Sequence, residues 1–270
     1  MNAHTRMPVV YISHGSPIVA LRENDFTRAL AQMAKDLPRP RALAVVSAHW
    51  EAPSPIRVTG APRPTTIYDF SGFPDELYRL TYPSPGSPDL ATEIVRLLSE
   101  AGLQAAIDPR RGLDHGAWVP LLHAYPAADV PVVEVALPVP RSPEGLLTLG
   151  QALAPLREDG ILLVGSGGIV HNLPRLQWND EDAAVDPWAK AFDDWIRARL
   201  TTLDSQAIAG YRDAAPHARL AVPTTEHFDP IFFVLGAASE SDRVVDIYEG
   251  FHYGNLSMRT FALAEPMWPT

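Results

Sequence analysis

The sequence predicts an α/β fold, in which a central, largely parallel or mixed sheet is packed between helices in three layers. Three observations predict it. Short apolar runs at Val9–Ser13, Leu43–Ala48, Pro131–Leu137 and Ile161–Ser166 have the length and composition of buried strands. Segments of helical period alternate with them, the signature of a sheet covered on both faces. The third is that polar residues follow these runs at once: His14 after the first, His49 after the second, and Gly165-Ser166-Gly167-Gly168 with His171 after the last. The carboxyl ends of parallel strands share one edge, and ligands bind along it.

Each element has its own signal. Asp25–Leu37 reads as the first helix. Pro88–Glu100 reads as the next, with Ser87 to cap it, Pro88 in the first turn and Gly102 to end it. Ser142-Pro143-Glu144 repeats that start for a helix running towards Arg157. Asp186-Pro187 opens another, whose stripe of Val185, Trp188, Phe192, Trp195, Ile196 and Arg199 suits a core face. Pro230–Ala238 is expected as a buried helix, and Val244–Tyr248 and Met258–Leu263 as late strands at an edge. With no repeat and no linker-like stretch, residues 1–270 are expected to form a single catalytic domain, 1–7 being a flexible start.

Composition excludes several classes. No cysteine is present, which removes thiolate metal sites and thiol nucleophiles and leaves imidazoles and carboxylates as ligands. A formal net charge of −10 disfavours a nucleic-acid partner, which calls for a basic face. No run approaches the ~20 apolar residues of a membrane span, and no leader-like apolar stretch opens the chain, so a cytoplasmic protein away from membranes is expected.

Nine histidines need individual weighing. His4 belongs to the expected flexible start, His123 to a helix, and His217 to a polar turn. His252 is either a turn residue or a pocket lining. His14, in Ser13-His14-Gly15-Ser16-Pro17, and His49, in Ser47-Ala48-His49-Trp50-Glu51, stand at equivalent strand exits, which favours a shared site. The small residues before His171 and Asn172 are expected to clear space so that both point into the cleft. His115 is read as loop-borne, with Asp114 as a cap for the following helix. Thr224-Thr225-Glu226-His227-Phe228-Asp229-Pro230 offers two adjacent ligands, or a helix start capped by Thr225 or Asp229. Such a set, with open positions and no thiolate, suits non-haem Fe(II) oxygen chemistry and catalytic zinc equally.

Six segments then point to a family: Ser13–Pro17, Ser47–Glu51, Tyr68-Asp69-Phe70-Ser71-Gly72-Phe73-Pro74, Leu113-Asp114-His115-Gly116-Ala117-Trp118-Val119-Pro120-Leu121, Gly165–Asn172 and Glu226–Pro230. In this order they resemble the class III extradiol aromatic ring-opening dioxygenases, in the DOPA 4,5-dioxygenase branch, from about residue 8 to Arg259. The resemblance implies a divalent metal, Fe(II) for ring cleavage with Zn(II) able to occupy the isolated protein, held by His14, His49 and His227. It implies His171 beside the metal as acid–base group or fourth ligand. Relatives that cleave protocatechuate use a glutamate as third ligand, which keeps Glu226 in view. His115 would face a small aromatic diol and O₂, and Tyr68, Phe70 and Phe73 would line the ring pocket or form a closing loop. Two other readings keep the same residues: a zinc-dependent hydrolase, and a binding protein like the Memo proteins.

Overall fold

The structure is a computed structural model that describes residues 6–266. Ten strands are present among the described residues: β1 Val9–Ser13, β2 Ala42–Pro53, β3 Ile56–Thr59, β4 Ala105–Asp108, β5 Val132–Val139, β6 Ile161–Gly167, β7 Arg243–Tyr248, β8 Phe251–His252, β9 Leu256–Ser257 and β10 Thr260–Ala264. Eight of them build one sheet in the order β4-β3-β5-β2-β6-β1-β10-β7, while β8 and β9 pair separately. At its centre β5, β2, β6 and β1 run parallel. β10 and β7 add antiparallel strands on one side. On the other, β3 meets β5 antiparallel and carries β4 parallel to itself.

The helices are α1 Asp25–Asp36, α2 Pro88–Glu100, α3 His115–Ala124, α4 Pro143–Leu153, α5 Pro187–Leu200, three short turns α6 Ser205–Ala209, α7 Tyr211–Ala214 and α8 Ala218–Ala221, and α9 Pro230–Gly236. Two of the caps read from sequence form. Ser87 accepts from the Leu90 amide and Ser142 from the Gly145 amide. Asn24 and Thr27 close a reciprocal box on α1.

Alternation along the strands divides the core. Val9 and Tyr11 of β1 face a cluster that includes Ile94 of α2, Leu149 of α4, Phe192 of α5 and Phe233 of α9. Val10 and Ile12 face the other layer, with Leu30 of α1 and Trp118 of α3. β1 and β6 are buried on both faces, which is why they read as unbroken apolar runs. The result is a mixed, mostly parallel sheet flanked by helices, the α/β class the sequence predicts.

Several expectations change. Met7 is buried and its amide donates to Arg157 O, so that end of the expected flexible start is pinned; His4 lies outside the described residues. The strand expected to stop at Ala48 continues to Pro53, so His49 lies within β2. Its pairing with β5 slips between Val46 and Glu51, a bulge that re-aims the intervening residues. β10 is an inner strand between β1 and β7, and only β7 is at the edge. Val185 is exposed, off the α5 stripe, and the Arg199 guanidinium stacks on Trp195 at 3.8 Å.

Candidate metal centre

Five segments deliver imidazoles to the carboxyl edge of the parallel strands. β1 ends at Ser13 and delivers His14, and the β2 bulge carries His49. His115 is the first residue of α3 and not a loop residue as expected; the preceding Asp114 occupies the cap position without making a capping bond. The loop before α9 brings His227, with Asp229 next to the helix and making no side-chain cap. β6 ends in small residues for a reason different from the one expected. A Cβ at Gly167 would lie 2.0 Å from His227 O, and one at Gly165 would lie 2.7 Å from Pro230 O. The space cleared therefore holds the His227 segment, and the Gly168 amide donates to His227 O. His171 does line the cleft, but Asn172 turns away and donates to Leu220 O.

His14 Nε2 lies 3.1 Å from His49 Nε2, and His49 Nε2 lies 3.2 Å from His227 Nε2. All three donor atoms fall within 4.8 Å of one another. Two nitrogens about 2.1 Å from one ion are about 3.0 Å apart at a right angle and about 3.4 Å apart at the tetrahedral angle. The observed spacings fit cis positions on one cation.

Each outer nitrogen meets an oxygen. Ser166 Oγ gives its proton to Gly116 O, so it must accept from His14 Nδ1, 3.0 Å away. His49 Nδ1 lies 3.3 Å from Asp69 Oδ2, and His227 Nδ1 lies 3.1 Å from Glu226 Oε1. The bonds to Ser166 and Glu226 place the proton of His14 and His227 on Nδ1 and leave their Nε2 lone pairs facing inward, while the His49–Asp69 contact lacks the alignment of a hydrogen bond. Outer partners of this kind orient metal-ligating imidazoles. Glu226, the alternative third ligand, sits behind His227 in this arrangement.

His171 stacks on His227, with centroids 3.5 Å apart and planes 7° from parallel. It groups with Glu226 and His227, and not with the His14–His49–His227 set. His115 Nδ1 lies 3.0 Å from Asp69 Oδ2 without the alignment of a hydrogen bond, while its amide donates to Asp69 Oδ1. Asp69 thereby spans His49 and His115. Burial resists its ionisation, but His115 and then His49 outweigh this and hold it at about 2.

Burial, followed by repulsion from the neighbouring rings, keeps His14 and His227 well below the ordinary histidine range. Burial and then His115 take His49 down to about 3, and burial takes His171 to about 4 against the pull of Glu226. All four rings are neutral near pH 7, the form that binds metals or accepts protons.

The cleft above holds about 560 Å³, a size that suits a small ligand. Phe70, Phe73, Leu173, Trp178 and Leu256 form its apolar wall. Leu173, Trp178 and Asp69 have no assigned role in the sequence; the first two are large exposed apolar side chains, one opening a single 3-10 turn and one in a turn, where no periodicity marks them. Tyr68 is not on the wall but donates to Leu80 O and packs against Trp118. His123 bonds Val19 O and His217 precedes α8, as the bland readings expected, while His252 packs against Phe26 outside the cleft.

A sheet edge with imidazole lone pairs facing a common point under an aromatic cleft is the architecture of a metalloenzyme centre. The comparisons identify the class. The catalytic LigB subunit of aromatic ring-opening dioxygenase, as a family model, matches residues 4–259, and the chain belongs to that family. It is 40% identical to the 4,5-DOPA dioxygenase extradiol of Escherichia coli strain K12 over 94% of this chain and 93% of that one. It is 38% identical to the Beta vulgaris protein of the same name over 93% and 94%. The dioxygenase tasH of Hapsidospora irregularis is 33% identical over 94% and 88%. A crystal structure of an Escherichia coli K12 protein superposes with a TM-score of 0.82 at 35% identity, over 96% of this chain and 100% of that one. The chain is an extradiol ring-cleaving dioxygenase, an oxidoreductase.

Two outcomes follow from the packing and the charges. Gly167→Ala forces the His227 backbone outward. It should cost about 1–3 kcal/mol of stability, as overpacking does, and weaken divalent-metal binding, read by calorimetry; unchanged affinity would contradict the packing argument. Imidazoles neutral in the folded chain but protonated at about 6.5 when unfolded make the native state the poorer proton binder between those values. The metal-free protein should therefore hold its full stability above about pH 6.5 and lose it as the pH falls towards about 4 and 3, where His171 and His49 titrate. A melting temperature flat from pH 7 to 5, or a slope unchanged by His171→Asn, would contradict this.

Proposed function

We propose that the protein, acting as a single catalytic domain, inserts O₂ into a catechol such as DOPA or a related small aromatic diol, giving a ring-opened muconic semialdehyde. The observation that carries this reading is the trio of inward Nε2 lone pairs at 3.1 and 3.2 Å beneath an aromatic wall, in a chain of this family. His14, His49 and His227 would hold one divalent metal, with Fe(II) the ion suited to ring cleavage. Bound there, it supplies Lewis acidity to the catechol oxygens and electrons for O₂ chemistry.

The residues divide the remaining work. His171, neutral and at the side of the donor set, accepts a proton from a catechol hydroxyl and returns it later in the reaction. With its value lowered to about 4 by burial, the ring is unprotonated near pH 7, the form that can accept a proton. His115, held at its amide by Asp69, faces the opposite side of His49, with ring centroids 3.9 Å apart, and lies within reach of substrate and O₂. Phe70, Phe73 and Trp178 offer flat apolar surface to the aromatic ring and keep water from it. Restricting both reactants to one cleft removes much of the orientational barrier.

Iron-loaded enzyme under air should consume O₂ with a catechol and form a yellow ring-opened product. His14→Ala should abolish metal binding and turnover together, whereas His171→Ala should keep one metal per chain and lose roughly 10²–10⁴-fold in kcat, the range for a general base. Absence of product across a broad catechol panel would contradict the proposal. Equal loss of metal in His171→Ala would make that residue a ligand.

A further inference from the structure

Asp114, His115 and Gly116 are consecutive, and each ties the start of α3 to a different part of the centre. Gly116 O accepts from Ser166 Oγ, which in turn holds His14 Nδ1. The His115 amide donates to Asp69, which spans towards His49. Asp114 Oδ1 accepts from Ser47 Oγ at 2.7 Å, and that same oxygen of Ser47 accepts from the His49 amide at 3.2 Å. The other Asp114 oxygen accepts from Arg111, whose guanidinium also reaches His49 O at 3.4 Å. Both peptide groups of His49 are therefore tethered to side chains that converge on Asp114. The approach is close: a Cβ at Gly116 would lie 2.4 Å from Ser47 Oγ.

Behind Asp114 stands Glu134, in the middle of β5 and fully buried. Its Oε1 accepts from the Asp114 amide at 2.9 Å, its own amide donates to Thr59 Oγ1, and its Oε2 has no hydrogen-bond partner. A charged carboxylate left half-paired in a sheet interior is costly, and a neutral acid is far less so. Burial and the adjacent Asp114 push the Glu134 carboxyl well above its usual range. Burial raises Asp114 as well, with Ser47 and then His115 and Arg111 opposing this. The reaction as described uses neither residue.

We propose that Asp114 and Glu134 form a positioning unit: Glu134 seats the Asp114 amide through Oε1, and Asp114 locks the first turn of α3 onto the β2 bulge, fixing where His49 points. The inference rests on the reading of His49 as a metal ligand. It assigns Ser47 and Glu134 an effect on the metal although neither touches it.

Full-length protein loaded with Co(II) tests this through metal affinity and the visible absorption of the ion, alongside kcat and KM with a catechol after Fe(II) loading. Ser47→Ala should fold with a near wild-type melting temperature when metal-free, yet shift the Co(II) spectrum and weaken binding about tenfold or more, the range for partners behind a ligand. Glu134→Leu should do the same and lower kcat more than it raises KM. Glu134→Gln keeps the acceptor oxygen and should restore wild-type behaviour. If Glu134→Leu does not fold, Ser47→Ala and Glu134→Gln decide. Wild-type spectra and affinities in both Ser47→Ala and Glu134→Leu, or in Ser47→Ala alone where Glu134→Leu cannot be measured, would overturn the proposal. A Glu134→Gln as damaged as Glu134→Leu would show that an acceptor oxygen at this position is not enough to seat Asp114 and would overturn the proposal. His49→Ala separates the two readings: retained Co(II) with an unaltered spectrum would remove His49 as a ligand, whereas loss of Co(II) beside an intact Ser47→Ala would sink the positioning unit alone.

Discussion

Three bare nitrogen lone pairs aimed at one another in a buried space are repulsive unless a cation lies between them, and much of this structure serves to hold them there. Left free, neighbouring neutral imidazoles would relieve the conflict by moving a proton to Nε2 and hydrogen-bonding one to the next. Here that escape is closed at His14 by Ser166 and at His227 by Glu226, and Asp69 stands 3.3 Å from the outer nitrogen of His49. The hydroxyl of Ser166 is itself committed to Gly116 O. Orientation and spacing are thus set from the outside, and what remains inside is a cluster of ring nitrogens.

The same arrangement explains the distribution of charge. Imidazoles packed this closely cannot all be protonated, and burial adds to the penalty, so the rings enter neutrality well before physiological pH. The two carboxyl groups nearest the trio, Asp69 and Glu226, both stand behind imidazole rings and not in front of them. A divalent cation would then meet three neutral donors with two carboxylates behind them, an environment that attracts it while leaving coordination positions open to a substrate. His171, stacked on His227 outside the trio, and His115, on the far side of His49, stand at the two flanks of those positions.

Much of this was legible in the sequence because the fold is written in strong signals. β1 and β6 are apolar on both faces, so they read as buried strands, and the polar residue after each marks the functional edge. Resemblance to a family supplied what spacing could not, namely that residues as distant as His14 and His227 share one point. Other features left little trace. The β2 strand runs past His49 because a bulge depends on its partner strand, which a single stretch of sequence does not show. α3 is buried nearly all round, so it has no polar face to announce that it begins at His115. Asp69 lies in irregular chain, where nothing distinguishes a surface carboxylate from a structural one. Glu134 was a readable anomaly: one acid in the run Val132-Val133-Glu134-Val135-Ala136-Leu137, which is otherwise apolar. The glycines at the end of β6 were noticed, but the segment they admit comes from 60 residues further along, beyond what local pattern conveys.

The most direct test of this account is nitrogen-15 NMR of the histidine side chains in metal-free protein at neutral pH, followed through a titration with a diamagnetic divalent ion such as Zn(II). The account predicts that the rings of His14, His49 and His227 carry their proton on Nδ1, and that their three Nε2 resonances move together and saturate at one ion per chain. Protons on Nε2 in these rings, or Nε2 signals indifferent to the ion, would contradict it.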